Sequence, residues 1–361
     1  MAGLLPSILD DLRDMPRLLG RNPKQRLFRL GMVVAGLLVM LVAIRPFTQD
    51  DMIEVQASAP KQARLSELVA VGLGLSEHAA AEIKAVKRQH TEQMKVKGLT
   101  DEGVIEPVTD ADERSNRIFV NGYRQQFPGI NILSEEADGD QGFKPPAVSP
   151  VLSEQIKQDV HLDMEHILLT IDPLDATKEF TEDLLDYVTT MVCVVYHGKP
   201  MAGIINQVFN EGPPVWGIVP IAGSNEPLHG RAAKVPQGDA ADTVTISRSH
   251  TGEGKNVVEE YLTGKHALLA GGSGYKSLLV VDGKADAYAH VTKIKSWDVC
   301  AADAIIKSIG GKFTDGSGED LVYVKESPLF SHGILATRDS ASHSWYMERL
   351  RSPFKTLMGG H

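Results

Sequence analysis

Residues 167–177 read Ile-Leu-Leu-Thr-Ile-Asp-Pro-Leu-Asp-Ala-Thr, a run of buried-strand character that ends in two carboxylates three positions apart. A strand of that kind belongs inside a body of layered helices and sheets. Pro173 fixes its own φ and predicts a tight turn, which aims Asp172 and Asp175 at one spot and leaves the Leu174 carbonyl available. Two carboxylates and a carbonyl are hard oxygen donors, suited to Mg²⁺ rather than to zinc or copper. A helix starting near Thr177 would add free N–H groups for a phosphate.

Two further acidic points sit at element ends. Glu135 and Glu136 follow the strand pattern Ile130–Ser134, and Asp298 opens the helical pattern Asp298–Ile309. Taken singly, each is explained as well by a turn former, a solvated loop or an N-cap. Gathered together without a cation, four carboxylates would raise one another's pKa and cost stability, so their convergence implies bound metal. Two Mg²⁺ ions would activate a water and neutralise the leaving oxygen of an in-line phosphoryl transfer to water. Thr177 can hold that water, and Asp112 in Val108-Thr109-Asp110-Ala111-Asp112 can take its proton through the threonine hydroxyl. Asp110 stands beside it as a second carboxylate able to share the role.

The amino terminus has a different character. Leu30–Ile44 is uncharged and apolar, behind Arg13, Arg17, Arg21, Lys24, Arg26 and Arg29. At about 1.5 Å per residue the stretch covers only about 22 Å, so it needs its flanks at the interfaces or a thin early-secretory membrane. The basic leader predicts a cytoplasmic tail over 1–29, an uncleaved signal anchor over 30–46, a stem over 47–61 and a lumenal domain over 62–361. Beyond residue 45 the formal charge is −14, against −10 for the whole chain, which disfavours any nucleic-acid polymer as partner.

Along the lumenal part, apolar spacing fits a helix over about 62–90, and 95–109 reads as a polar stretch. A second helical pattern covers Arg114–Phe127, and 138–165 reads as an exposed acidic insertion. The β-rich run Thr189–His197, Met201–Val208 and Val215–Val219 follows. A mixed α+β first half to about 235 thus precedes a second half of alternating helices and strands. The two cysteines, Cys193 and Cys300, fall in an apolar strand and a helical pattern. They exclude a disulfide scaffold and are expected as buried free thiols, with lumenal oxidation leaving a pair open.

Glu135-Glu136, Asp172–Thr177 and Trp297-Asp298 stand in the order found in the lithium-sensitive, magnesium-dependent phosphatases of the inositol monophosphatase superfamily, which residues 62–350 resemble. Within it, Val108–Asn116, Ile171–Leu184, Tyr187–Val194, Ile246–His250, Gly271–Lys276 and Ile294–Ala301 are similar to a Golgi-resident branch acting on adenosine 3′,5′-bisphosphate. The resemblance implies an αβαβα layered sandwich with two or three Mg²⁺ ions. It assigns Glu135, Asp172, the Leu174 carbonyl, Asp175 and Asp298 as metal ligands and Asp112 with Thr177 as the proton-accepting pair. Ser247, His250, Gly272 and Lys276 become nucleotide contacts. It further implies release of the 3′-phosphate to give AMP, clearance of the by-product of sulfotransferases in the Golgi lumen, type II membrane topology and a homodimer. The rival expectations are a phosphatase for inositol or other small sugar phosphates, and a catalytically silent, membrane-tethered nucleotide or metal sensor. Where relatives carry glycine this chain has Ala176 and Ala302.

Overall fold

Helix α1 (Leu65–Gln89) follows a short strand β1 (Gln62–Arg64) in the computed structural model of the chain. The structure describes residues 61–89, 94–99, 105–137, 142–148, 159–220, 228–230, 242–248 and 251–358. The basic tail, the anchor at 30–46 and the stem up to residue 60 lie outside the described residues. No helix among those described is long and apolar enough to cross a membrane.

Leu68, Val69, Leu75, Ala79 and Ile83 make the buried stripe of α1 at helical spacing. The stretch expected to be merely polar forms an antiparallel hairpin, β2 (Lys95–Leu99) with β3 (Ile105–Val108). Val96 of β2 and Met94 just before it are exposed, which gives that strand no apolar face a sequence pattern could reveal. Helix α2 (Asp110–Gln126) begins four residues earlier than the apolar pattern indicates. Thr109 caps it, and Asp112 reaches back to the Thr109 N–H at 2.8 Å, a capping box with Asp in place of the usual Glu or Gln.

Strand β4 (Asn131–Ser134) precedes the insertion, of which β5 (His161–Asp163) pairs with β1. Strand β6 (Ile167–Asp175), helix α3 (Thr177–Thr181) and strands β7 (Thr189–Tyr196), β8 (Lys199–Gln207), β9 (Val215–Ile218) and β10 (Leu228–Gly230) follow. They build a six-stranded sheet of order β10-β9-β8-β7-β6-β4, antiparallel except for β4 beside β6.

The second sheet begins at β11 (Thr243–Ser247). It is followed by α4 (Thr251–Tyr261), β12 (His266–Ala270), α5 (Ser273–Val281), β13 (Ala287–His290), β14 (Ile294–Lys295) and α6 (Ser296–Ser308). Strands β15 (Lys312–Asp315), β16 (Leu329–Phe330) and β17 (Ile334–Thr337) lead to α7 (Ser340–Met358). Five of these strands form a sheet of order β12-β11-β13-β17-β15, in which β11 runs parallel to both β12 and β13.

Three apolar layers hold the sheets. Leu68 and Phe119 of α1 and α2 meet Ile171, Val192 and Ile204 on one face of the first sheet. Val299 and Ile305 of α6, with Leu278 of α5, fill the space between the sheets against Ile205 and Phe313. Val258 of α4 and Leu350 and Phe354 of α7 cover Ile246 and Leu335 outside the second sheet. The succession is αβαβα, as the resemblance implies. Helix α6 approaches β8 so closely that a Cβ on Gly203 would collide with the Ala301 carbonyl.

The cysteines differ from expectation. Cys193 of β7 and Cys300 of α6 are fully buried and joined in a disulfide, with Cα atoms 5.7 Å apart. A separation of 107 residues conceals the pairing until strand and helix are stacked.

Candidate active site

The strand carrying the acidic pair does not end in the expected turn. β6 continues through Pro173 to Asp175, and its register against β7 shifts between Asp172 and Asp175. A bulge there accommodates proline, which cannot donate to a ladder, and re-aims the flanking side chains. Asp172 accepts the Leu174 N–H at 3.1 Å. Asp175 accepts from Gly274 N at 2.7 Å, Ser273 N at 3.1 Å and Thr189 Oγ1 at 3.0 Å. The first turn of α5 is therefore sewn to the end of β6. Gly272, just before α5, has φ +62°, and a Cβ on it would lie 2.8 Å from Asp175 Oδ2. Only glycine meets both demands.

Asp112 is buried beneath this bulge at 1% exposure. Its Oδ2 accepts from Thr109 N at 2.8 Å and Thr109 Oγ1 at 2.6 Å. Its Oδ1 accepts from Thr177 Oγ1 at 2.9 Å, and the same hydroxyl lies 3.1 Å from the Leu174 carbonyl. Burial pushes the Asp112 carboxyl up to about 7, against the lowering effect of the Thr109 hydrogen bonds. A carboxyl poised near neutrality, with one oxygen fixed and the other on a hydroxyl, is suited to accept a proton by way of that hydroxyl.

Glu135 follows β4, its N–H bonded to the Ile171 carbonyl at 3.0 Å, which places it beside Asp172. Lys97 of the β2–β3 hairpin reaches Glu135 Oε1 at 3.0 Å and also pairs with Glu136. Asp298 lies in the first turn of α6 and accepts the Lys295 N–H at 3.0 Å. Burial raises the Asp172 and Asp298 carboxyls well above the ordinary range, and the charge of Glu135 adds to both. Asp175 is also raised by burial, with the Lys276 ammonium opposing.

From the second sheet come Ser247 at the end of β11 and Gly272 and Lys276 at the start of α5. Lys276, only 4% exposed, donates to the Gly272 carbonyl at 2.5 Å. Burial lowers its ammonium to about 8, although Asp175 and Glu179 hold it up. These three residues, with Glu135, Asp172, Leu174, Asp175, Thr177 and Asp298, line one cavity of about 270 Å³. Asp112 lies behind Thr177, and His250 falls outside the described residues.

Two contributors carried no separate signal in the sequence. Arg248, between Ser247 and His250, bonds Glu179 at 3.0 Å and Glu182 at 2.7 Å, tying the second sheet to α3. Lys97 lies in the stretch without periodicity.

The donor set is chemically right for a hard divalent cation, since several buried carboxylates share one cavity and are pushed toward protonation without one. Among the described residues, no three His, Cys, Asp or Glu side chains form a ready-made ligand cluster. The hydrogen bonds above show why: Asp175 faces backbone amides and Glu135 faces Lys97. Asp175 Oδ2 accepts from both Gly274 N and Thr189 Oγ1, whereas Asp175 Oδ1 accepts from Ser273 N and keeps a lone pair for a cation.

The sequence model of the inositol monophosphatase family matches residues 64–352. The putative inositol monophosphatase 3 of Drosophila melanogaster is 35% identical over 339 residues, spanning 90% of this chain and 94% of its own. The human Golgi-resident adenosine 3′,5′-bisphosphate 3′-phosphatase is 35% identical over 284 residues, spanning 76% of this chain and 77% of its own. Among solved structures, the IMPase of Thermotoga maritima superposes with a TM-score of 0.57 at 18% identity, covering 79% of this chain and 97% of that one. The last likeness speaks for the fold. Together with the carboxylate-lined cavity, these matches place the chain in the inositol monophosphatase family, and with it among the phosphoric monoester hydrolases.

Proposed function

We propose that this chain is a magnesium-dependent phosphatase that releases the 3′-phosphate of adenosine 3′,5′-bisphosphate, leaving AMP and phosphate. The observation that carries the reading is the meeting of Glu135, Asp172, Asp175 and Asp298 around one cavity, with the Asp112–Thr177 pair directly behind it. Its choice of a nucleotide rests on the relatives named for that substrate. In this reading the chain is held in the Golgi membrane by residues 30–46, with residues 62–361 in the lumen, where they would clear the by-product of sulfotransferases.

Glu135, Asp172, the Leu174 carbonyl, Asp175 and Asp298 would hold the metal. Bound there, Mg²⁺ would acidify a water and neutralise charge on the leaving oxygen. Thr177 Oγ1 accepts the proton of the attacking water while passing its own to Asp112 Oδ1. Because Thr109 fixes Asp112 Oδ2, the accepting oxygen always faces Thr177. Gly272 lets the backbone approach the ligand, and Ser247 and Lys276 border the same cavity.

A second substrate class has support at similar identity, since several relatives are named inositol monophosphatase 3. Phosphate release by the full-length chain across a substrate panel tests the choice. With Mg²⁺, adenosine 3′,5′-bisphosphate should be hydrolysed much faster than inositol 1-phosphate, and chelator or Li⁺ should suppress both. The reverse ranking removes the nucleotide claim, turnover in chelator removes the metal claim, and no turnover at all favours a tethered sensor.

A further inference from the structure

Helix α3, Thr177–Thr181, is a little over one turn long, yet it carries the hydroxyl on which the proposed proton transfer depends. So short a helix closes too few hydrogen bonds to stand by itself, and its position is set by what grips it. At its start, Thr177 Oγ1 lies 2.9 Å from Asp112 Oδ1 and 3.1 Å from the Leu174 carbonyl. Phe180 N donates to the Ala176 carbonyl at 2.9 Å and closes the turn. At its end the backbone turns away through Asp183, at φ +61°, so the last carbonyls need donors from elsewhere.

Lys87, in the last turn of α1, supplies one. Its Nζ donates to the Phe180 carbonyl at 2.8 Å, lies 2.7 Å from Asp183 Oδ1 and sits over the Phe180 ring, 4.8 Å from its centroid. Asp183 is well exposed, and an ion pair with so solvated a partner contributes little by itself. The bond to the carbonyl is the stronger contact, because a charged donor meets a helix end that carries negative partial charge. A basic residue near the end of α1 would ordinarily serve α1 alone. Here the ammonium leaves its own helix for the carboxyl end of another.

The packing under this contact leads to the site. Phe180 is fully buried with Ile83 and Val86 of α1, Ala111 of α2 and Leu174 of β6. Ala111 precedes Asp112, and Leu174 carries the carbonyl beside Thr177 Oγ1, so one apolar cluster seats both partners of the threonine hydroxyl. Arg248 grips α3 by the side chains of Glu179 and Glu182, whereas Lys87 grips its backbone. Lys87 does not line the catalytic cavity.

Resting on the reading of this cavity as a phosphatase site, we infer that Lys87 is a positioning residue for the reaction: it clamps the backbone of α3 to α1 and so holds the Thr177 hydroxyl against Asp112. It acts through Thr177 alone, without touching substrate or metal.

The test uses the full-length protein with Mg²⁺ and whichever of adenosine 3′,5′-bisphosphate and inositol 1-phosphate it hydrolyses faster. Lys87→Met, which keeps the stem and removes the ammonium, should lower kcat about tenfold with KM changed less than about twofold, since a small displacement of a reacting group is costly and ground-state binding is untouched. Lys87→Arg, still able to donate to the carbonyl, should restore most of the rate. In an Asp112→Asn background the relay is already broken, and Lys87→Met should lower kcat by less than about twofold further. A merely structural lysine would lower kcat by the same factor in both backgrounds, and that result overturns the inference, as does an unchanged kcat in Lys87→Met alone. Amide exchange reads the clamp without turnover: the Phe180 N–H should exchange about tenfold faster in Lys87→Met while the Ala79 N–H of α1 keeps its rate. If neither compound is hydrolysed, the phosphatase reading falls and exchange alone judges the clamp, equal Phe180 rates ending it. Should Lys87→Met fail to fold, Lys87→Gln, whose shorter side chain stops short of the carbonyl, replaces it in every comparison.

Discussion

The two sheets contribute different materials to one cavity. The first, mostly antiparallel, delivers Asp172 and Asp175 from the bulged end of β6 and Glu135 from the end of β4, with Asp112 behind them on α2. The second places its parallel strands β11 and β12 so that their carboxyl ends bring up Ser247 and the Gly271-Gly272 turn, with Lys276 on the helix that follows. Among the described residues, Asp298 is its single acidic contribution to the cavity lining. Burying a carboxylate is costly, so these groups sit where a sheet core and fixed N–H donors hold them. On the proposed reading, the first half performs the chemistry and the second selects what undergoes it.

That division is broken most severely by Asp112→Asn. The amide cannot take the proton from Thr177, and kcat should fall by about 10²–10⁴ with little change in KM. Ser247→Ala, in the other half, should instead raise KM a few-fold. Equal effects of the two variants on kcat would end the distinction. In the unmutated enzyme the rate should rise with pH through about 7, because Asp112 must be deprotonated to accept, and bound cation would move that rise lower.

Arg248→Gln tests how the halves are joined. Arg248 leaves the second sheet and pairs with Glu179, which is 4% exposed, and with Glu182 at the surface. Losing it strands a buried carboxylate. Because the guanidinium is itself partly solvated, a loss of about 1–2 kcal/mol is expected, seen as a melting midpoint lowered by several degrees. An unchanged midpoint would show that α3 needs no strap.

Much of this architecture could be read from residue pattern, for identifiable reasons. The stripe of α1, strands β4 and β6 to β9 and the order of acidic motifs follow from periodicity and from carboxylates placed at element ends. The hairpin β2–β3 could not be read, because Val96 is exposed and Lys97 acts only through its reach to Glu135 and Glu136. Pro173 suggested a turn, yet a bulge lets the strand continue past it. The early start of α2 was obscured because one carboxylate, Asp112, serves both as capping residue and as candidate base. Arg248 and the Cys193–Cys300 bond depend on contacts between distant parts of the chain, which no local pattern encodes.

Acid titration separates the halves again. His343 of α7 is 1% exposed, with Nε2 3.1 Å from Thr314 Oγ1, and burial lowers it to about 4. Its folded value lies below the unfolded one, so the unfolded chain takes up the proton first. The stability this represents is fully present above about pH 6.5 and is lost as pH falls toward 4. Asp112 has the opposite sign: its raised folded value penalises the native state at neutral pH, and the penalty disappears as pH falls from about 7 toward 4. In chelator, denaturant unfolding at a series of pH values should give a steeper acid loss for Asp112→Asn and a shallower one for His343→Gln. If both substitutions moved the slope in the same direction, the opposed titrations would be refuted.

The smallest expected effect concerns Ala176, the residue between β6 and α3. Ala176 adopts φ 70° and ψ 43°, a left-handed conformation that costs an ordinary L-residue about 1 kcal/mol. The chain accepts it because α3 must leave β6 abruptly for Thr177 to reach Asp112 Oδ1 and the Leu174 carbonyl. Ala176→Gly removes the strain but enlarges the freedom of the unfolded chain by a comparable amount, so a net gain between zero and about 1 kcal/mol is expected. Ala176→Val, with a branched Cβ in the same conformation, should lose about 1–2 kcal/mol. Were valine tolerated as well as glycine in chemical unfolding, the left-handed turn could not be what seats Thr177, and the positioning of the proposed proton acceptor would have to come from α2 alone.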